Sequence, residues 1–192
     1  MKVLIVDCYD SFTYNLYQQV GMLGCEQMVV KNDHDPEDII AQEFDRIILS
    51  PGPGRPAETG LCLEILATMS RRIPTLGICL GHQVICHAFG AEVEVTGAPV
   101  HGKTSMIGHD GTGIYDSIPS PMRATRYHSL AVREETLPGD MVVTARSADD
   151  GMLMGVRHLC YPVEGVQFHP ESILTSNGDK LVRNFIMKGV CR

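Results

Sequence analysis

From Lys2 to Phe89 the chain alternates short apolar runs with amphipathic stretches, and few folds satisfy that rhythm. Lys2–Val6 reads as a buried strand and Phe12–Leu23 as a helix capped by Asp10 or Ser11. Gln27–Lys31 is a second strand, followed by a short helix, Glu37–Glu43, that Pro36 opens at its first turn. Arg46–Leu49 is a third strand, Leu61–Ser70 a helix, Thr75–Ile78 a fourth strand and Gly81–Phe89 a helix. Strands apolar on both faces, each followed by a helix, predict a parallel sheet with helices on either side.

Beyond Ala91 the pattern changes. Short strand-like runs, Glu92–Val95, Met122–Tyr127, Met141–Ala145, Met152–His158 and Val163–Phe168, are split by Gly, Pro and Asp. Some of these are expected as antiparallel additions to the same sheet. A helix over Lys180–Met187 closes the chain. The expected fold class is therefore α/β: three layers, a mostly parallel twisted sheet flanked by helices, with extra short antiparallel strands in the second half. One domain over residues 1–192 accommodates it.

Composition narrows the function classes. No run approaches roughly 18 consecutive apolar residues, so no transmembrane helix is expected. The apolar start Val3–Val6 is stopped by Asp7 and lacks a small-residue cleavage site, unlike a signal peptide. A net charge of −7 argues against nucleic-acid or anionic-membrane partners. The seven cysteines are odd in number and irregularly spaced, which fits free thiols in a reducing cytoplasm.

The most informative segment is Gly77-Ile78-Cys79-Leu80-Gly81-His82-Gln83, where an apolar strand meets a helix. G-x-C-x-G is the cysteine form of a nucleophile elbow, in which glycines relieve crowding around a sharply turned nucleophile. At a helix N-terminus, Cys79 gains thiolate character from the positive end of the dipole. The N–H of Leu80 then points to where an oxyanion would form. Two blander readings stay open on these residues alone: a buried structural cysteine, or a metal site of Cys79, His82 and Cys86 with His87 next along, for which no fourth ligand is evident.

A thiolate needs a base, and the base an orienting group. Gly165-Val166-Gln167-Phe168-His169-Pro170-Glu171 supplies a candidate for each at the end of a buried strand. His169 and Glu171 are two apart and project to one side if the extended run continues, and Pro170 biases His169 toward extended geometry. By itself His-Pro-Glu reads more readily as a surface turn; its weight comes from the cysteine elbow. His34, His101, His109 and His158 are poorer bases by context. The third element is Ser50-Pro51-Gly52-Pro53-Gly54, a rigid loop directly after a strand, where backbone can approach a ligand. It lacks the Lys-Ser/Thr of a phosphate loop. In a parallel sheet this loop and the elbow share the strand C-terminal ends, so a backbone N–H of Gly52–Gly54 is a second oxyanion donor.

These three elements, in this order, resemble the class I (triad-type) glutamine amidotransferases. Asp10-Ser11-Phe12-Thr13-Tyr14-Asn15-Leu16, His101-Gly102-Lys103, Arg126-Tyr127-His128-Ser129-Leu130 and His169-Pro170-Glu171-Ser172-Ile173-Leu174-Thr175 extend the likeness over nearly the whole chain. They are similar to one branch, the glutaminase subunit (component II) of anthranilate synthase and of aminodeoxychorismate synthase. The length suits a free-standing subunit of that kind. The resemblance implies a triad of Cys79, His169 and Glu171, an oxyanion hole of Gly52 and Leu80, and a glutamine site of Gly52, Pro53, Gly54, Gln83, Ser129 and Leu130. It implies L-glutamine as substrate and a chorismate-binding synthase subunit (component I) as partner, faced by His101, Gly102 and Lys103. It implies no cofactor or metal in this chain, with Mg²⁺ expected on the partner.

Three departures stand out. Cys8 occupies a position where the family commonly has Asn, Gly90-Ala91 one where it often has Gly-Gly, and Cys86-His87 one where small residues are usual. The anthranilate pathway to tryptophan is the expected destination of the ammonia, with the folate-pathway counterpart as nearest alternative. More distant alternatives are a cysteine γ-glutamyl hydrolase or peptidase and a non-catalytic binding subunit.

Overall fold

The computed structural model describes residues 1–188, and for residues 98–101 the backbone alone. Its elements are β1 (Lys2–Asp7), α1 (Thr13–Gly21), β2 (Glu26–Lys31), α2 (Pro36–Ile40), β3 (Arg46–Leu49), α3 (Gly60–Thr68), β4 (Thr75–Ile78), α4 (Leu80–Ala88), β5 (Val93–His109), β6 (Met122–Val132), β7 (Met141–Ser147), β8 (Leu153–His158), β9 (Val163–Val166) and α5 (Gly178–Lys188). Nine strands form one sheet in the order β2-β1-β3-β4-β9-β8-β7-β5-β6. β1 to β4 and β9 run parallel, while β8, β7, β5 and β6 add antiparallel pairings. The expected twisted α/β sheet forms, with a parallel core and antiparallel strands added from the second half of the chain.

The period of two along each strand builds the three layers. Leu4, Val6, Ile47 and Leu49 face one core with Leu61 and Ile65 of α3 and Val84 and Ile85 of α4. Val3, Ile5, Ile48, Leu76 and Ile78 face the other, with Leu16 and Val20 of α1 and Leu181 and Phe185 of α5. Each such side chain contributes about 1.5–3 kcal/mol when fully buried.

Several boundaries differ from the sequence reading. α1 begins at Thr13 without a side-chain cap. Asp10 is spent on a tight turn instead, its carboxylate accepting from Phe12 N at 2.8 Å. α2 ends at Ile40, and its cap is Asp35, which accepts from Glu37 N at 3.0 Å. The largest difference is β5. The short run near Glu92–Val95 continues through Gly97 and Gly102 as one 17-residue strand, its pairing with β6 shifted between Val95 and Val100 and again between His101 and Lys103. Bulges let it absorb glycines that would otherwise end a strand. β6 likewise extends past Tyr127 to Val132. Among the described residues no helix is long and apolar enough to cross a membrane.

Candidate active site

The loops after β3, β4 and β9 meet at the C-terminal edge of the parallel strands, and the far end of β6 closes the fourth side. Cys79 sits between β4 and α4 with φ 52° and ψ −101°, a backbone that L-residues rarely adopt. It is held there from both sides: its N–H donates to Val166 O at 2.8 Å, and its carbonyl accepts from Gln83 N at 3.1 Å. The glycines of the elbow are needed for close approach. A Cβ on Gly77 would lie 2.4 Å from Gly81 O, and one on Gly81 would lie 2.2 Å from Leu49 O. Backbone packed this tightly leaves the nucleophile one position.

The loop after β3 is pressed against the end of β1 in the same way. A Cβ on Gly52 would stand 2.2 Å from Cys8 O. Ser50 ties the two together, its hydroxyl accepting from Cys8 N at 2.9 Å and donating to Pro51 O at 2.7 Å. Cys8, the departure from the family pattern, turns its sulfur away toward Cys62, 3.7 Å off in the core.

His169 and Glu171 are buried at 2% and 4% exposure. His169 Nδ1 lies 2.6 Å from Glu171 Oε1. Two aromatic rings stand edge-on to the imidazole, Phe12 at 5.7 Å and Tyr127 at 5.3 Å between centroids. Phe12 owes its place to Asp7, whose buried carboxylate accepts from Tyr9 N, Asp10 N and Thr13 Oγ1 and so shapes the turn before α1. The backbone of His169 is tied to β6, its N–H donating to Thr125 O at 3.0 Å. Burial disfavours the imidazolium, but the hydrogen bond with Glu171 and the charges of Cys79 and Glu171 outweigh it, and His169 is pushed up to about 10. The base thus holds a proton beside the sulfur.

A cavity of about 180 Å³ opens in front of Cys79. It is lined by Gly52, Pro53, Gly54, Cys79, Leu80, Gln83, Ser129 and Leu130, joined by Tyr127 and His128. All the residues singled out for the oxyanion and for glutamine therefore gather at one place. Gln83 Nε2 donates to Leu130 O at 3.0 Å and to Gln167 Oε1 at 3.0 Å.

The segment His101-Gly102-Lys103 is a bulge inside β5, not a turn. A Cβ on Gly102 would meet the Tyr127 ring at 3.3 Å, and Lys103 is exposed. The side chain of His101 lies outside the described residues. Of the residues in the metal alternative, His82 and Cys86 are fully buried, and burial drives His82 down to about 3. Among the described residues no three His, Cys, Asp or Glu are grouped to hold a metal ion.

Sequence reasoning overlooked the shell behind β6. Arg126, 2% exposed, donates to Ser105 Oγ, Ser147 Oγ, Asp150 Oδ2 and His128 Nε2 at 2.9–3.2 Å. Because His128 Nε2 accepts, its Nδ1 carries the proton that Leu130 O receives at 3.1 Å. Burial and the Arg126 charge lower His128 to about 4, which keeps it neutral in this role. Nothing local in Arg126-Tyr127-His128 announces a buried guanidinium, because its partners come from β5, β7 and the turn after β7.

A cysteine on a strained strand-to-helix elbow, a small polar cavity in front of it and a buried His–Glu pair define a thiol amidase site. Residues 4–188 match the family described as glutamine amidotransferase class-I, and the chain belongs to that family. It is a glutamine-hydrolysing enzyme of this class. Within the family it is homologous to the component 2 glutaminase subunits of anthranilate and aminodeoxychorismate synthases. It is 50% identical to anthranilate synthase component 2 of Thermus thermophilus over 189 residues, covering 97% of this chain and 92% of that one. It is 49% identical to aminodeoxychorismate/anthranilate synthase component 2 of Bacillus subtilis over 185 residues, covering 96% and 95%. Among solved structures, a Thermoplasma acidophilum protein assigned as a GMP synthase subunit superposes with a TM-score of 0.83 at 29% identity, over 97% of this chain and 92% of that one.

Proposed function

We propose that this chain is the glutaminase subunit of an anthranilate synthase in tryptophan biosynthesis, a single amidotransferase domain working in the cytoplasm and handing ammonia to a chorismate-binding synthase subunit. The observations that carry the chemistry are Cys79 at the wall of the cavity and a buried His169 held by Glu171 at 2.6 Å, its proton affinity raised by the charges of both neighbours. Cys79 Sγ attacks the side-chain amide carbon of L-glutamine. The oxygen takes up negative charge facing the N–H groups of Leu80 and Gly52, which need no reorganisation to receive it. His169, held by Glu171, gives its proton to the leaving nitrogen, and ammonia departs from a γ-glutamyl thioester on Cys79. Water then attacks the thioester with His169 as base, releasing glutamate and restoring the thiolate–imidazolium pair. Gln83, the Pro53–Gly54 loop and the backbone of Ser129 and Leu130 hold the amino-acid end.

Ammonia released into water becomes ammonium and is lost as a nucleophile, so the synthase subunit must cover the cavity mouth. Gly102 stands against Tyr127, which lines the cavity, with exposed Lys103 next along β5, and Ile173, 98% exposed, lies two residues after Glu171. The chorismate and Mg²⁺ sites belong to the partner. The Bacillus subtilis relative carries both pathway names, which favours a second reading in which the same chain also serves aminodeoxychorismate synthesis.

The test combines the chain with each candidate synthase subunit, chorismate, Mg²⁺ and glutamine and identifies the aromatic product. Anthranilate as the product, and a Cys79→Ser complex that makes it from added ammonium but not from glutamine, are the expected results. Normal use of glutamine by Cys79→Ser would overturn the mechanism. Glutamine turnover that no synthase subunit increases, accompanied by peptide cleavage, would favour a γ-glutamyl hydrolase.

A further inference from the structure

One buried side chain touches the nucleophile and belongs neither to the triad nor to the cavity wall. Gln167 follows β9 and is fully buried. Its Nε2 lies 3.6 Å from Cys79 Sγ, and its Oε1 accepts from Gln83 Nε2.

The direction of these bonds is decided at the far end. Leu130 O is a carbonyl and only accepts, so Gln83 must turn its NH₂ toward it. The second hydrogen of that NH₂ goes to Gln167, which must answer with its carbonyl oxygen. That leaves Gln167 Nε2, a donor, facing the sulfur. Flipping either amide would set two donors or two acceptors against each other. Both hydrogens of Gln83 are consumed, so its free polar atom is Oε1, an acceptor suited to the α-ammonium of an amino acid.

We propose that Gln167 is a positioning residue for glutamine hydrolysis: it donates to the Cys79 sulfur and fixes Gln83 with its carbonyl toward the substrate. A chain of hydrogen bonds then links β6 to the nucleophile, Gln83 donating both to Leu130 O and to Gln167, and Gln167 donating to Cys79. This rests on the site reading given above, with Cys79 as nucleophile.

Two probes separate the roles. Iodoacetamide senses the sulfur alone, whereas a diazoketone analogue of glutamine senses the sulfur and the amino-acid site together. In Gln167→Met, iodoacetamide inactivation at pH 7 is expected to slow about tenfold, the worth of one hydrogen bond to a charged sulfur. Half-saturation by the analogue is expected to rise severalfold. The decisive variant is Gln83→Met, whose altered side chain bonds Gln167 and not the sulfur. Iodoacetamide inactivation of folded Gln83→Met should also slow severalfold, because Gln167 loses the partner that orients it. An unchanged rate in that variant, or rates within twofold of the parent in a folded Gln167→Met, overturns the proposal. If the analogue does not label Cys79 in the parent protein at all, the reading of the site itself fails.

Discussion

Glu171 Oε1 and His169 Nδ1 lie 2.6 Å apart with both side chains closed off from solvent. At that distance and burial the carboxylate fixes which imidazole nitrogen is protonated and steadies the imidazolium once it forms. Glu171→Gln keeps the shape and removes the charge. Steady-state ammonia release from glutamine should then fall by about 10²-fold or more in kcat with little change in KM. A kcat within threefold of the parent would assign Glu171 to packing alone.

The raised proton affinity of His169 has a consequence for stability with a defined sign. In the unfolded chain the imidazole titrates near its ordinary value of 6.5, and in the folded chain at about 10. The folded state therefore binds the proton more tightly, and this contribution is complete below about pH 6.5 and lost as pH rises through about 10. Thermal midpoints of the protein and of His169→Gln, compared between pH 6.5 and 10, should converge as pH increases. A constant gap across that window would contradict the assignment.

Gly81 and Gly139 make a matched pair of glycines. A methyl group on Gly81 collides with Leu49 O at 2.2 Å, whereas one on Gly139 meets nothing within 4 Å. Gly81→Ala is expected to destabilise by about 3 kcal/mol, the upper end for overpacking, because the obstacle is backbone. Gly139→Ala should lie within about 0.5 kcal/mol of the parent. Denaturant unfolding of both variants measures the contrast.

Arg126→Leu tests the shell behind β6. Loss of the guanidinium removes the donor to the hydroxyls of Ser105 and Ser147 and leaves His128 Nε2 without its donor. A cost of about 3 kcal/mol is expected. Because β6 carries Ser129 and Leu130, KM for glutamine should rise as well. A stability loss with KM unchanged would separate the shell from the site.

How much of this was legible in the sequence follows from the range of the forces involved. The parallel half was readable because Val3–Val6, Ile47–Leu49 and Leu76–Ile78 are buried on both faces, so strand and apolar run coincide. Cys79 was readable because its elbow imposes glycines at fixed offsets. β5 was not, because its two register shifts break the alternation that marks a strand. The N-terminus of α1 was misjudged because Asp10 and Ser11 satisfy cap chemistry on paper while Asp10 closes a turn before it. Gln167 and Arg126 were passed over for one shared reason: most partners of each side chain lie far along the chain, and local pattern carries little trace of them. A glutamine inside the apolar run Val166-Gln167-Phe168 was the one hint available.

The crowding around the elbow also bears on inhibitor design. On the side of β3 and β4 the cavity at the sulfur is lined by Gly52, Gly54 and Leu80, and main-chain amides look alike in any thiol amidase built this way. A compound gripping that wall would have little means of telling one such enzyme from another. Discrimination has to be sought across the cleft, where Gln83, Tyr127 and Ser129 line the cavity and a substitution can change the surface without moving the main chain.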